Sequence, residues 1–264
     1  MNKKRLYIGG GFDILHRDHK KFIILGIKFF KRKYGNLSKV IIGLKGDSYL
    51  NKQKGNNRPF FSYEWRKEDL SNFLKDLNVE YTIITSIDIL SKFKERKDIV
   101  AEISSDYLEG KKQIERLGIF PLYVDPTNKV NTSFFEKELL DAQNKSNCNL
   151  RKVGALLIRN GKMISKGYSG SGNCNKCPKY LAYKKCGGKL SKKIECKYDH
   201  AEVIVLKKAR KGDDILITNS PCKKCAELIV SKGIRRVVYI NEYYNKKPIR
   251  YLIKNGIKIR KSGV

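Results

Sequence analysis

The chain has 264 residues, 41% of them hydrophobic, which is long for one domain and enough to bury two cores. Its 57 Lys and Arg against 26 Asp and Glu give a formal charge of +31, a positive field suited to phosphorylated or nucleic-acid partners, although AT-rich codon usage also yields Lys-rich chains. The longest apolar runs, such as 22–27, are far too short to span a bilayer, and the first residues lack the apolar segment of a signal peptide. A cytoplasmic protein with no membrane partner is expected.

Residues 5–8 read as a strand that ends in Gly9, Gly10 and Gly11. The stretch from Phe12 to His19 follows. Apolar positions from Phe22 to Phe30 then recur at helical spacing, predicting a helix over 20–34. Glycines let a backbone approach a phosphate, and a helix N-terminus attracts anions, so His16 and His19 are candidates to face a triphosphate. Further strands are predicted over 39–43, 81–85 and 119–124, and an amphipathic helix over 62–77. Strands alternating with helices predict a parallel, doubly wound sheet with its ligand at the strand C-termini.

The stretch GGFDILHRDH resembles the GxFDxxHxGH opening of the cytidylyltransferase-like nucleotidyltransferases. Ser104-Ser105-Asp106-Tyr107 resembles that family's late strand-end motif, and Val130-Asn131-Thr132-Ser133 stands where the family carries a phosphate loop before a final helix. The resemblance covers about half the chain. It implies an HxGH nucleotidyltransferase-like fold and a nucleoside triphosphate held by His16, His19, Thr132 and Ser133, with Gly10, Gly11, Lys54 and Arg66 beside them. Asp18 replaces the family's glycine between the histidines and puts a carboxylate near the phosphates. Mg2+ bridging Asp18 to the phosphates would reconcile the two.

Residues 134–145 look helical, and no Pro/Gly/Ser-rich linker separates the halves, so the domains are expected to be 1–133 and 134–264. Two strands, 153–159 and 162–167, are joined by Asn160-Gly161, a strong hairpin signal. A helix over 199–210, a strand over 214–218, a helix over 221–232, a strand over 236–240, a helix over 248–255 and a last strand over 257–260 complete an α/β sandwich.

Chemistry concentrates at the two helix starts. His200 is followed two residues later by Glu202, and Pro221 precedes Cys222 and Cys225. One imidazole and a Cys-x-x-Cys pair leave a tetrahedral zinc ion one open position for water, which ionises near neutral pH. Glu202 is placed to move protons. His-x-Glu with Pro-Cys-x-x-Cys is the signature of zinc deaminases of cytosine and adenine rings; Cys-x-x-Cys alone reads equally as a structural site or buried thiols. Cys174, Cys177, Cys186 and Cys196 lie between 170 and 199 and form a candidate second, closed zinc site.

The C-terminal half resembles deoxycytidylate deaminases along almost its whole length: RKVGALLIRNGKMISKGYSG, HAE, PCKKCAELIVSKGIRRVVY and YYNKKPIRYLIKNGIKI. tRNA adenosine deaminases and riboflavin-pathway deaminases share the zinc motif but not this ending. The resemblance implies a cytidine-deaminase-like fold and hydrolytic deamination of dCMP to dUMP. It also implies a small-molecule nucleotide substrate and a homo-oligomer. Zinc would sit on His200, Cys222 and Cys225, and Glu202 would relay protons. Ser169 stands where the family has an Asn near the sugar. Relatives carry a structural zinc in the insert, some with one ligand at the position of Cys148. A bifunctional chain is one outcome. The alternative is a tRNA or single-stranded DNA deaminase, or a nucleic-acid-binding protein, with a catalytically silent N-terminal half.

Overall fold

The computed structural model describes residues 4–55, 58–85, 99–104, 120–124, 133–170, 176–185, 199–243 and 245–262. The chain divides into two compact units, Met1–Asn131 and Thr132–Ser262, two residues ahead of the expected seam.

In the first unit, β1 (Lys4–Gly10), β2 (Leu37–Leu44), β3 (Tyr81–Thr85), β4 (Ile99–Ser104) and β5 (Phe120–Val124) form one sheet in the order β3-β2-β1-β4-β5. Every pairing is parallel. Strand order reverses between β1 and β4, where such sheets open a crevice at their C-terminal ends. Alternation along β1 and β2 turns Leu6, Ile8, Val40, Ile42 and Leu44 to one core. Ile23, Ile27 and Phe30 of α1 (Arg17–Tyr34) and Leu70 and Leu74 of α3 (Tyr63–Asp76) join that core. Ser62 caps α3 by accepting from the Trp65 amide at 3.3 Å. The helix α2 (Asp47–Lys54) has no counterpart among the expected elements: it buries Leu50 alone and so leaves no periodic signal.

The second unit opens with α4 (Ser133–Asn144). Its sheet contains β6 (Gly154–Arg159), β7 (Lys162–Tyr168), β8 (Asp214–Asn219), β9 (Arg236–Asn241) and β10 (Lys258–Lys261), in the order β10-β9-β8-β6-β7. The β6–β7 pair is antiparallel and turns at Asn160 and Gly161, whose φ values of 50 and 76 match a type I′ hairpin. Strands β8, β9 and β10 run parallel to one another. One face packs on α6 (Ala201–Leu206), α7 (Lys223–Ser231) and α8 (Lys247–Lys254) through Ala155, Leu157, Ile217, Val205, Ile229 and Leu252. The other face meets α4, where a Cβ on Gly154 would lie 2.5 Å from the Leu139 carbonyl. The short helix α5 (Pro178–Lys185) buries none of its residues and was not foreseen. The helix expected over 199–210 is confined to α6, with turns after it.

Candidate metal centre and nucleotide sites

In the second unit two helix N-termini converge. His200 is the N-cap of α6 and Cys222 the N-cap of α7, each with extended backbone, so their side chains stand at the positive ends of the two helices. The ligand atoms of His200, Cys222 and Cys225 all lie within 4.8 Å of one another. His200 Nδ1 is 3.3 Å from Cys225 Sγ and 3.5 Å from Cys222 Sγ. Zn–N and Zn–S bonds in a tetrahedron give an N···S edge of about 3.6 Å, so this donor set fits a zinc ion. Among the described residues it is the one cluster of three such ligands.

The pKa of Cys222 is held down to about 4, first by the Cys225 hydrogen bond and against the desolvation that raises it, with His200 and a backbone hydrogen bond assisting. Cys225 is pushed up as the donor of that pair, and burial adds to the rise. A thiolate at a helix N-terminus is the form that binds metal. Glu202, 4% exposed, has its carboxyl raised above the usual range by burial. A cavity opens onto this group, lined also by Asn219, Ser220, Ser169, Arg151 and Tyr243.

Ser169 lines the cavity, but its hydroxyl is committed to the fold. It donates to the Arg151 carbonyl at 2.9 Å, accepts from the Val153 amide at 3.0 Å and meets Ser146 Oγ at 2.8 Å. Cys177 is fully buried and packs with Cys148, next to Leu150 and Tyr180. Cys174, Cys186 and Cys196 lie outside the described residues. Arg151, Asn219, Ser220 and Tyr243 had no signal in the sequence, because they stand at strand ends and in loops with no spacing of their own.

In the first unit His16 caps α1 and accepts from the Asp18 amide on Nδ1 at 3.3 Å. In the neutral ring that leaves the proton on Nε2. The His16 and His19 rings stack with centroids 3.8 Å apart. His16 Nε2 and His19 Nδ1 are buried without a hydrogen-bond partner. Burial lowers both histidines, His19 the more, with Lys54 and Arg58 adding to the fall. Desolvation of its amine and the charge of Arg58 likewise lower Lys54.

One expectation needs correction here. Arg66 is not placed to hold a phosphate. It is 1% exposed, and its guanidinium donates to the carbonyls of Phe61, Gly11 and Lys45 and to Asp47. It ties the end of β1 to the end of β2. None of Gly9, Gly10 and Gly11 has a positive φ; Phe12 and Ile14 do, at 47 and 54. A Cβ on Gly11 would lie 2.9 Å from Leu50 Cδ2. Thr132 lies outside the described residues, and Ser133 is the first residue of α4.

Comparison with known proteins identifies the second unit. Residues 129–241 match the model of the cytidine and deoxycytidylate deaminase zinc-binding region, which sets the class as a zinc-binding deaminase domain. The deoxycytidylate deaminase of Mycobacterium phage D29 is 32% identical over 111 residues, 38% of this chain and 87% of the phage protein. That of Schizosaccharomyces pombe is 34% identical over 122 residues, 42% of this chain and 37% of the yeast protein. The chain belongs to the cytidine and deoxycytidylate deaminase family. It spans well under half of the S. pombe relative and most of the phage one. A solved dCMP deaminase of cyanophage S-TIM5, in complex with dCMP and dUMP, aligns over 50% of this chain and 99% of its own, with 25% identity and a TM-score of 0.39.

Proposed function

We propose that the second unit deaminates dCMP to dUMP by hydrolysis with a bound zinc ion. The observation that carries the reading is the convergence of the His200, Cys222 and Cys225 ligand atoms within 4.8 Å. Glu202 lines the same cavity. The two relatives named deoxycytidylate deaminase support the substrate. Zinc on these three side chains would supply Lewis acidity and a water that ionises near neutral pH. Glu202, buried and easily protonated, takes the proton of the attacking water. It hands that proton to ring nitrogen N3, then takes the proton of the hydroxyl now on C4 and hands it to the amino group, which leaves C4 as ammonia while the C4 carbonyl forms. His200, Cys222 and Cys225 fix the geometry. Ser169 shapes the cavity wall near the sugar through the loop it holds. Cys174, Cys177, Cys186 and Cys196 are proposed to hold a second, structural zinc, with Cys148 as a rival ligand beside Cys177.

The test is turnover of dCMP by the purified chain. Glu202→Gln should retain zinc and lose activity by at least about 100-fold, because an amide relays no proton. Cys222→Ala should lose metal and activity together. Near-normal turnover by Glu202→Gln would end the mechanism.

A second reading concerns the first unit. The unpartnered His16 and His19 nitrogens at the start of α1, with Lys54 nearby, support binding of a nucleoside triphosphate. With Asp18 beside the phosphates, the binding would require Mg2+. Gly10 and Gly11 bring the backbone close. Nucleotidyl transfer would follow the same site. Calorimetric titration of ATP and CTP into the full chain should show binding with Mg2+ and none without it. Replacing His16 and His19 with Ala should abolish that binding and leave deamination in place.

A further inference from the structure

We infer that Arg151, laid against the Tyr243 ring in the wall of the cavity, grips the 5′-phosphate of the nucleotide and so makes the site prefer a nucleoside monophosphate to a nucleoside. This rests on the deaminase reading above. If the amino-bearing edge of the base must face His200, Cys222 and Glu202, the phosphate lies toward the open side of the cavity. Two cations line that cavity, Arg151 and Lys179, and one acid besides Glu202, Asp199, which Lys207 engages at 2.9 Å.

Arg151 is exposed, and its guanidinium carbon lies 4.2 Å from the centre of the Tyr243 ring. No carboxylate pairs with it among the described residues. Its main chain is held on both sides: the amide donates to Cys148 Sγ at 3.4 Å, and the carbonyl accepts from Ser169 Oγ at 2.9 Å. The Tyr243 amide donates to Ser220 Oγ at 2.8 Å, two residues before Cys222. The cation, the ring beneath it and the metal-ligand loop therefore share one frame.

A stacked guanidinium has already lost much of its rotamer freedom and keeps its N–H edge outward, in the forked geometry that matches two phosphate oxygens. Lys179 offers a point charge on a flexible stem, with no ring beneath it among the described residues. The arginine is thus the better reader of a phosphate, and the family signature around the zinc does not include it.

The experiment compares steady-state kinetics of the zinc-loaded full chain on dCMP and on deoxycytidine, for wild type, Arg151→Gln, Arg151→Lys and Lys179→Gln. Loss of a charge-assisted pair should raise KM for dCMP by about 10- to 100-fold in Arg151→Gln. The preference for dCMP over deoxycytidine should fall by the same factor, and zinc content should hold. Arg151→Lys should recover part of the preference, and Lys179→Gln should lose less. If Arg151→Gln lowers turnover of the two substrates alike, or the lost preference appears only in Lys179→Gln, the inference is wrong while the deaminase reading stands. A wild type that deaminates neither compound overturns that reading, and this inference with it.

Discussion

Asp13 is 1% exposed and lies between two residues, Phe12 and Ile14, of positive φ. A β-branched side chain in that conformation costs about 1 to 2 kcal/mol, and such strain persists only where neighbours over-determine it. Here they do: the carboxylate accepts from Arg58 Nε at 2.8 Å and from the amides of Phe60 at 3.0 Å and Phe61 at 2.9 Å. Asp13→Asn leaves Arg58, itself 1% exposed, buried without its counter-charge. Urea unfolding should show a loss of about 3 to 5 kcal/mol. The histidines make a prediction of different sign. Their folded pKa values lie below 6.5, so above that pH folded and unfolded chains carry the same charge there. As pH falls below 6.5 the unfolded chain takes up protons that the fold refuses, and stability drops until the lowered folded values are reached. Asp18 and Asp13 oppose the effect at His16, while Lys54 and Arg58 reinforce it. Unfolding midpoints followed from pH 7.5 to 5 should fall, by at most about 1.4 kcal/mol per pH unit per histidine, and His19→Phe should flatten the curve.

At the scale of the element, the metal site depends on how closely α6 sits on β7. A Cβ on Gly167 would lie 2.8 Å from the Ala201 carbonyl and 3.0 Å from Val205 Cγ1. Gly167→Ala must therefore push α6 outward, and with it His200 and Glu202. The expected result is a loss of about 1 to 3 kcal/mol in stability and at least about tenfold weaker zinc binding in a chelator competition. Gly256→Ala is the control. Its φ is 77, so it is strained as well, but nothing lies within 4 Å and zinc affinity should not move. A further clamp joins α4 to β7, where Lys166 Nζ meets Glu138 at 2.7 Å and Asp141 at 2.8 Å.

For the molecule as a whole, the charge of +31 separates the two function classes. A nucleotide enzyme should turn over free dCMP with little change between about 50 and 200 mM salt, whereas an oligonucleotide held by many phosphate contacts would be lost steeply over that range. The expected outcome is dCMP turnover that hardly moves, no deamination of a cytosine-containing oligonucleotide, and oligonucleotide binding that disappears with salt. No helix among the described residues is long and apolar enough to cross a membrane. Metal content should be about two zinc ions per chain, falling to one when Cys174 and Cys177 become Ser.

The sequence by itself determined the residues of the candidate metal centre and most of the strands, β4 excepted. His200, Cys222 and Cys225 are legible because metal chemistry permits few residue types at few spacings, Glu202 because the proton-moving carboxylate of such sites stands two residues after the histidine, and Asn160-Gly161 because only such residues accept two positive φ values in succession. Alternation and helical period likewise marked β1, β2, α1 and α3. Tertiary structure alone decided the rest. Arg66 looked free to hold a phosphate, yet the carbonyls that consume it come from residues 5, 21 and 55 positions away in the chain. Arg151 looked like one lysine-rich surface residue among many until the fold laid it on Tyr243, 92 positions later. Spacing in the chain reports contacts within one turn or one strand pair. Which distant donors and acceptors meet is settled only when the layers close and each buried polar group must find a partner.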